Sequence, residues 1–215
     1  MSTELLSMHD LGLKHHLDKA YEHEYTLKFY PEHLEAIRTT ATLAIEIGIW
    51  NGNSLRMWAE YFPNARLIGA DIDFSRIKSP IPRCSLRYAD QSKREDLESA
   101  FFDVESGSAD LIVEDGMHTS QCQQSCFGIM FDYVRPSGRY IIEDLQTSLT
   151  WPQEQEERVT TLDLVQSFSA SGTLDSDYID ATTLRKLEKQ IDRIELYTRT
   201  PDFKKSVSAI VFKKA

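Results

Sequence analysis

Short runs of apolar and β-branched residues recur along the chain, each closed by an acid or a turn residue, and helix-spaced apolar positions fall between them. The runs are Leu43–Ile47, Arg66–Asp71, Cys84–Ala89, Asp110–Val113 and Arg139–Ile142, and only Glu46 interrupts the first. Asp110–Val113 and Arg139–Ile142, bounded by turn residues, read as strands buried in a parallel sheet. Leu55–Tyr61, Arg94–Phe102 (Leu97, Ala100 and Phe101 on one face) and Thr119–Tyr133 predict the intervening helices. Strand and helix in alternation predict an open α/β sheet with helices on both faces. Residues 1 to about 40 read as an N-terminal helical segment, with Leu13, Leu17, Tyr21, Leu34 and Ile37 at helix spacing and a break at Pro31. Residues 41–215 form the main domain. From Leu149 to Thr182 the chain turns polar and acidic apart from Val159, Leu162, Val165 and Phe168, so this insert is expected to be either a lid or a solvated excursion. Leu184, Leu187, Ile191 and Ile194 predict a last helix, followed by strands Glu195–Thr198 and Ser206–Phe212 joined by a turn at Pro201-Asp202.

Composition narrows the function. A chain of 215 residues, 41% hydrophobic and 27% charged, suits one globular domain with a substantial core. A formal net charge of -10 argues against nucleic acid as the main partner, because phosphate-backbone binding rests on excess Lys and Arg, and it favours small-molecule chemistry. Met1–Lys14 has neither an unbroken apolar stretch nor a basic leader, so no signal peptide and no membrane span are expected, and the location is expected to be cytoplasmic. A homo-oligomer stays open. Cys84, Cys122 and Cys126 form no CxxC pair, which indicates neither a disulfide framework nor a zinc site. Cys122 and Cys126, one helical turn apart, read as small buried residues. His15, His16 and Asp18 are conceivable ligands, but the early histidines read as solvated helix residues.

The chemistry gathers where strands end. The run Leu43–Ile47 leads into Gly48-Ile49-Trp50-Asn51-Gly52-Asn53-Ser54, where Gly48 and Gly52 let the backbone approach a cofactor and Ser54 is placed to cap the next helix. The spacing is G-x-x-x-G, unlike the G-x-G-x-x-G of dinucleotide binders. Asp71, at the end of the second run, is the acid expected to accept ribose hydroxyls. Two carboxylate clusters, Glu114-Asp115-Gly116-Met117-His118 and Glu143-Asp144, follow the fourth and fifth runs. In an open α/β sheet the residues past the carboxyl ends of strands face the ligand crevice, so Asp115, His118, Glu143 and Asp144 are expected at one rim. Three carboxylates so placed call for a cation, Mg²⁺ first, and His118 is the neighbour able to take a proton near neutral pH.

With these motifs in place, the stretch from Ala41 to Ser148 resembles class I S-adenosylmethionine-dependent methyltransferases. It is most similar to the metal-dependent sugar O-methyltransferases of macrolide biosynthesis, the mycinamicin type, and their cephalosporin hydroxylase-like relatives. Glu46-Ile47-Gly48, Gly52 to Trp58, Gly69-Ala70-Asp71-Ile72, Asp90-Gln91-Ser92, Asp115-Gly116-Met117-His118 and Glu143-Asp144 carry the likeness. The resemblance implies a Rossmann-like, doubly wound, mostly parallel seven-stranded sheet with an antiparallel C-terminal hairpin edge. It further implies metal ligation by Asp115, Glu143 and Asp144, a general base at His118, and S-adenosylmethionine held by Glu46 and Gly48 at the methionine end, Asp71 at the ribose and Asp90-Gln91 at the adenine. Gly52, Ser54 and Glu114 complete the expected cofactor set, and the first 40 residues receive no catalytic role. Where the family commonly has Asp-Asp-Gly-Ser-His, this chain has Glu114-Asp115-Gly116-Met117-His118. The expected acceptor is a small hydroxylated molecule, a sugar or glycosylated natural product. A catechol-type O-methyltransferase and a non-catalytic S-adenosylmethionine binder are the alternatives.

Overall fold

A computed structural model describes residues 5–201, 203 and 205–215. Three short helices, α1 (Met8–Lys14), α2 (Asp18–Tyr21) and α3 (Phe29–Leu34), precede the alternating part. That part comprises β1 (Leu43–Ile47), α4 (Asn53–Tyr61), β2 (Arg66–Asp71), β3 (Cys84–Tyr88), α5 (Arg94–Ala100), β4 (Ala109–Glu114), α6 (Ser120–Met130) and β5 (Val134–Ile142). α7 (Thr147–Thr150), α8 (Thr161–Ser171), α9 (Ala181–Gln190), β6 (Ile191–Thr198) and β7 (Val207–Lys213) close the chain. The seven strands lie in the order β3-β2-β1-β4-β5-β7-β6. β3 through β5 pair in parallel, and β7 runs antiparallel to both β5 and β6. This is the sheet that the family resemblance implies.

Each face of the sheet carries its own core. One holds Ile45, Ile112, Phe127, Tyr140, Leu162, Val165 and Leu184 beneath α5, α6, α8 and α9. The other joins Met8, Leu11, Tyr25, Tyr30 and Leu34 with Trp58, Tyr61, Leu67, Val113 and Ile210. Residues 8–40 are built into the second face, with α1 packed on α4; residues 1–4 lie outside the described set.

Two elements differ from the sequence expectation. The insert is not a solvated excursion: α8 packs against α6 and β6, Leu164 and Val165 are fully buried, and no residue of 149–182 lines the main cavity. The last helix stops at Gln190, so Ile191 and Ile194 belong to β6. Their i, i+3 spacing imitates a helix because the β6–β7 register shifts between Ile191 and Arg193, and a bulge returns both side chains to the same buried face. The turn before β7 includes Pro201, as expected, while Asp202 lies outside the described residues. Among the described residues no helix is long and apolar enough to cross a membrane.

Candidate active site

A cavity of about 750 Å³ opens where β1, β2 and β4 end, and its lining runs from Asp71 to Asp144. That size suits a small-molecule ligand. One side of it is shaped by the turn between β1 and α4. Gly48 adopts φ +82°, and a Cβ there would run into the Asp115 carbonyl oxygen and Gly116 Cα. The two loops touch through backbone alone, and the Asp115 N–H donates to the Ile47 carbonyl at 2.8 Å. Gly52, at φ +76°, is the N-cap of α4, and a side chain on it would meet Ile77 and Ile81. Ser54, expected as the cap, instead lies inside the first turn, buried and lining the cavity.

Asp71 ties this turn to β2. Its Oδ2 accepts from the Ile49 and Trp50 N–H groups at 2.8 and 3.0 Å, and its Oδ1 accepts from the Asp73 N–H at 3.1 Å, leaving lone-pair capacity toward the cavity it lines. Asp90 and Gln91 also line the cavity, and Gln91 Oε1 accepts from the Met117 N–H at 2.8 Å. Trp50, Ile72 and Met117 are large exposed apolar residues at the mouth. Cys122 lines the wall and Cys126 is fully buried beside Tyr140, and all three cysteines are free.

Glu46 and Glu114 lie behind the wall rather than on it. Burial pushes each carboxyl up to about 7. Glu114 Oε1 accepts from the Gln91 side chain and from the Gly116 N–H at 3.3 Å, so Glu114 positions Gln91 instead of facing a ligand. Both Glu46 oxygens are buried, and the neighbouring Ser54 and Trp58 side chains only partly offset that burial. Between pH ~4.5 and ~7 the folded chain holds a proton on Glu46 that the unfolded chain has released, so stability falls as pH rises through this window and is flat above it. Glu46→Gln removes that loss. Its melting temperature is expected to exceed the wild type's by about 7–14 °C at pH 8, with the gain shrinking toward pH 5 in a calorimetric series; a difference independent of pH would refute the assignment.

The acidic side is built from the ends of β4 and β5, whose parallel register sets Glu114 opposite Ile142, so that Asp115 and Glu143 emerge side by side. His118 and Asp144 both have left-handed backbones, φ +59° and +56°. Such conformations cost energy in a non-glycine residue and collect at functional sites. Thr147 Oγ1 donates in shared geometry to the His118 and Asp144 carbonyls at 2.8 and 2.9 Å, fixing both loops. His118 Nε2 lies 3.5 Å from Asp144 Oδ2, while its Nδ1 is buried with no hydrogen-bond partner. Asp144 Oδ1 accepts from the Gln146 amide at 3.0 Å. Burial pushes the Asp144 carboxyl up, but His118, Gln146 and His23 outweigh it and hold it below the usual range.

The cation the carboxylates call for comes, in part, from the N-terminal segment. Lys19 Nζ lies 2.5 Å from Asp115 Oδ2 and 2.6 Å from Glu143 Oε2, and Lys19 is only 3% exposed. Burial works against its charge, yet Asp115, Glu143, Glu46 and Asp18 raise its pKa well above the lysine value. Burial in turn raises the carboxyls of Asp115 and Glu143 despite Lys19. The Tyr30 hydroxyl donates to Glu143 Oε1, so both Glu143 oxygens are engaged. Asp115, His118 and Asp144 each offer one ligand atom, all within 4.8 Å of one another, a donor set that fits a divalent ion. His16, Leu17 and Asp18 also line the cavity, whereas His15 Nε2 pairs with Glu60 at 2.8 Å. The segment expected to have no role therefore walls the site. No motif announces Lys19, whose carboxylate partners lie 96 and 124 residues away.

No protein-family model matches the chain. It is 37% identical over 153 residues to the 8-demethyl-8-alpha-L-rhamnosyl tetracenomycin-C 2'-O-methyltransferase of Streptomyces olivaceus, covering 67% of this chain and 39% of that protein. It is 35% identical over 152 residues to the L-olivosyl-oleandolide 3-O-methyltransferase of Streptomyces antibioticus, 66% of this chain and 38% of that one. The solved MycE methyltransferase of the mycinamycin pathway, in complex with Mg and SAH, superposes over 98% of this chain and 55% of its own with a TM-score of 0.78 and 25% identity. The chain is a homologue of these sugar O-methyltransferases. Its fold is that of class I S-adenosylmethionine-dependent methyltransferases. The methyltransferase homologue spans well under half the length of the curated relatives it matches and about half of the solved one.

Proposed function

We propose that this chain catalyses divalent-metal-assisted transfer of a methyl group from S-adenosylmethionine to a hydroxyl of a sugar or another small glycosylated molecule. The observation that carries the reading is one cavity bounded by the Gly48 turn and Asp71 on one side and by Asp115, His118 and Asp144 on the other. The homology to sugar O-methyltransferases supports it, as does the solved MycE bound to Mg, SAH and mycinamycin VI. In this reading Gly48 backs the methionine end of the cofactor, Asp71 takes ribose hydroxyls with its remaining lone pairs, and Asp90 and Gln91 flank the adenine. Asp115 and Asp144 would hold the metal, with Glu143 beside them. The bound cofactor supplies an electrophilic methyl group, and a bound divalent ion supplies charge that lowers a hydroxyl pKa. The remaining work is alignment and proton removal. His118 takes the acceptor's proton on a ring nitrogen, and Asp144, 3.5 Å from Nε2, favours the protonated ring that results. The walls from Trp50 to Met117 hold the acceptor in line with the methyl group.

Calorimetry with S-adenosylhomocysteine, followed by mass spectrometry of deoxysugar glycosides incubated with S-adenosylmethionine and Mg²⁺, tests the reading. Absence of S-adenosylhomocysteine binding would overturn it. Asp71→Asn keeps one acceptor for the turn amides but loses the charge. Its affinity for S-adenosylhomocysteine is expected to fall roughly tenfold with little change in melting temperature, and unchanged affinity would remove Asp71 from the cofactor site.

A further inference from the structure

Asp115 and Glu143 emerge side by side from neighbouring strands, and the position between them is taken by the Lys19 ammonium, within hydrogen-bond distance of both. An ammonium and a divalent ion cannot share that position, since at contact distance two cations repel strongly in a site so poorly solvated. Without a cation the pair would be buried like charges, a strongly destabilising arrangement. Lys19 therefore satisfies in the metal-free chain the demand a metal would meet. It is carried on the four-residue helix α2, directly after the cavity-lining residues His16, Leu17 and Asp18, and it lines the cavity itself. Its flexible four-carbon stem gives the ammonium a route from the carboxylates into that space.

We propose that Lys19 is a resident cation that a divalent ion displaces from between Asp115 and Glu143, so that metal loading releases Glu143 for ligation and turns the lysine toward the cavity. This inference rests on the metal-assisted reading above. It makes Lys19 a positioning residue whose competition sets the metal affinity of the site.

Two measurements test it without turnover. Mn²⁺ binding, followed by electron paramagnetic resonance, is expected to be at least tenfold tighter in Lys19→Met than in the wild type. Reductive methylation read by mass spectrometry is expected to label Lys19 slowly in the metal-free wild type and readily at saturating Mg²⁺, with the half-exposed Lys14 as internal standard. A folded Lys19→Met that binds Mn²⁺ no more tightly than the wild type overturns the exchange and leaves the metal reading standing. Lys19 that stays protected while Mg²⁺ is bound does the same, and decides the matter if the variant does not fold. Mn²⁺ binding to neither protein overturns both readings together.

Discussion

Gly48→Ala is expected to abolish measurable S-adenosylhomocysteine binding and to lower the melting temperature by about 10 °C, a loss of roughly 3–5 kcal/mol. Two costs add. A left-handed φ of +82° is unfavourable by about 1–2 kcal/mol for a residue with a Cβ. The Cβ itself would drive into the Asp115 carbonyl and Gly116 Cα, which are backbone and cannot rotate away. The chain then has to part the two loops, breaking the bond from the Asp115 N–H to the Ile47 carbonyl and moving the Asp115 carboxylate with it. Gly107 offers the control. Its φ is +72°, but nothing lies within 4 Å of an added Cβ, so Gly107→Ala carries only the conformational cost, about 1 kcal/mol. Equal thermal shifts for the two variants would show that the close approach at Gly48 is not what holds the site.

The second large effect concerns the acidic rim. With an acceptor in hand, His118→Ala is expected to lower turnover by 10² or more while S-adenosylhomocysteine affinity stays within about twofold, the behaviour of a positioned general base. Asp115→Asn is expected to lose metal binding and turnover together, because it removes one of the two carboxylates, with Asp144, that would hold the ion. Calorimetry with Mn²⁺ and initial rates with and without chelator separate the two variants. Full-rate methylation by the wild type in excess chelator would rule out the metal mechanism, and an unimpaired His118→Ala would assign the proton to another group.

Which parts of this protein are legible in its chain follows from the range of the interactions that produce them. The sheet is legible because burial between two helical layers demands continuous apolar runs, and Leu43–Ile47 or Asp110–Val113 satisfy that demand locally. The rim of Asp115, His118 and Asp144 is legible for the same reason: once two runs are parallel neighbours, the residues after them share an edge. A local pattern misleads where a bulge intervenes, as at Ile191 and Ile194, because one extra residue converts strand alternation into helix spacing. Other assignments belong to the tertiary structure. Glu46 and Glu114 stand in the right motifs, but only packing puts them behind the wall, where desolvation raises them to about 7. The stretch Val159 to Phe168 looks like an exposed amphipathic insert until α6 and β6 are seen to cover it. Lys19 is the clearest case. A lone lysine in a polar segment carries no periodicity, and its meaning lies in two carboxylates that the sheet brings to it. The chain by itself thus determined the strands of the ligand edge and the acids at their ends, because short-range burial rules suffice for both, while the order in which those strands pair belongs to the tertiary structure. Which cation those acids face was decided by the tertiary structure, because Coulomb pairing depends on distance in space and leaves no trace in the spacing of residues along the chain.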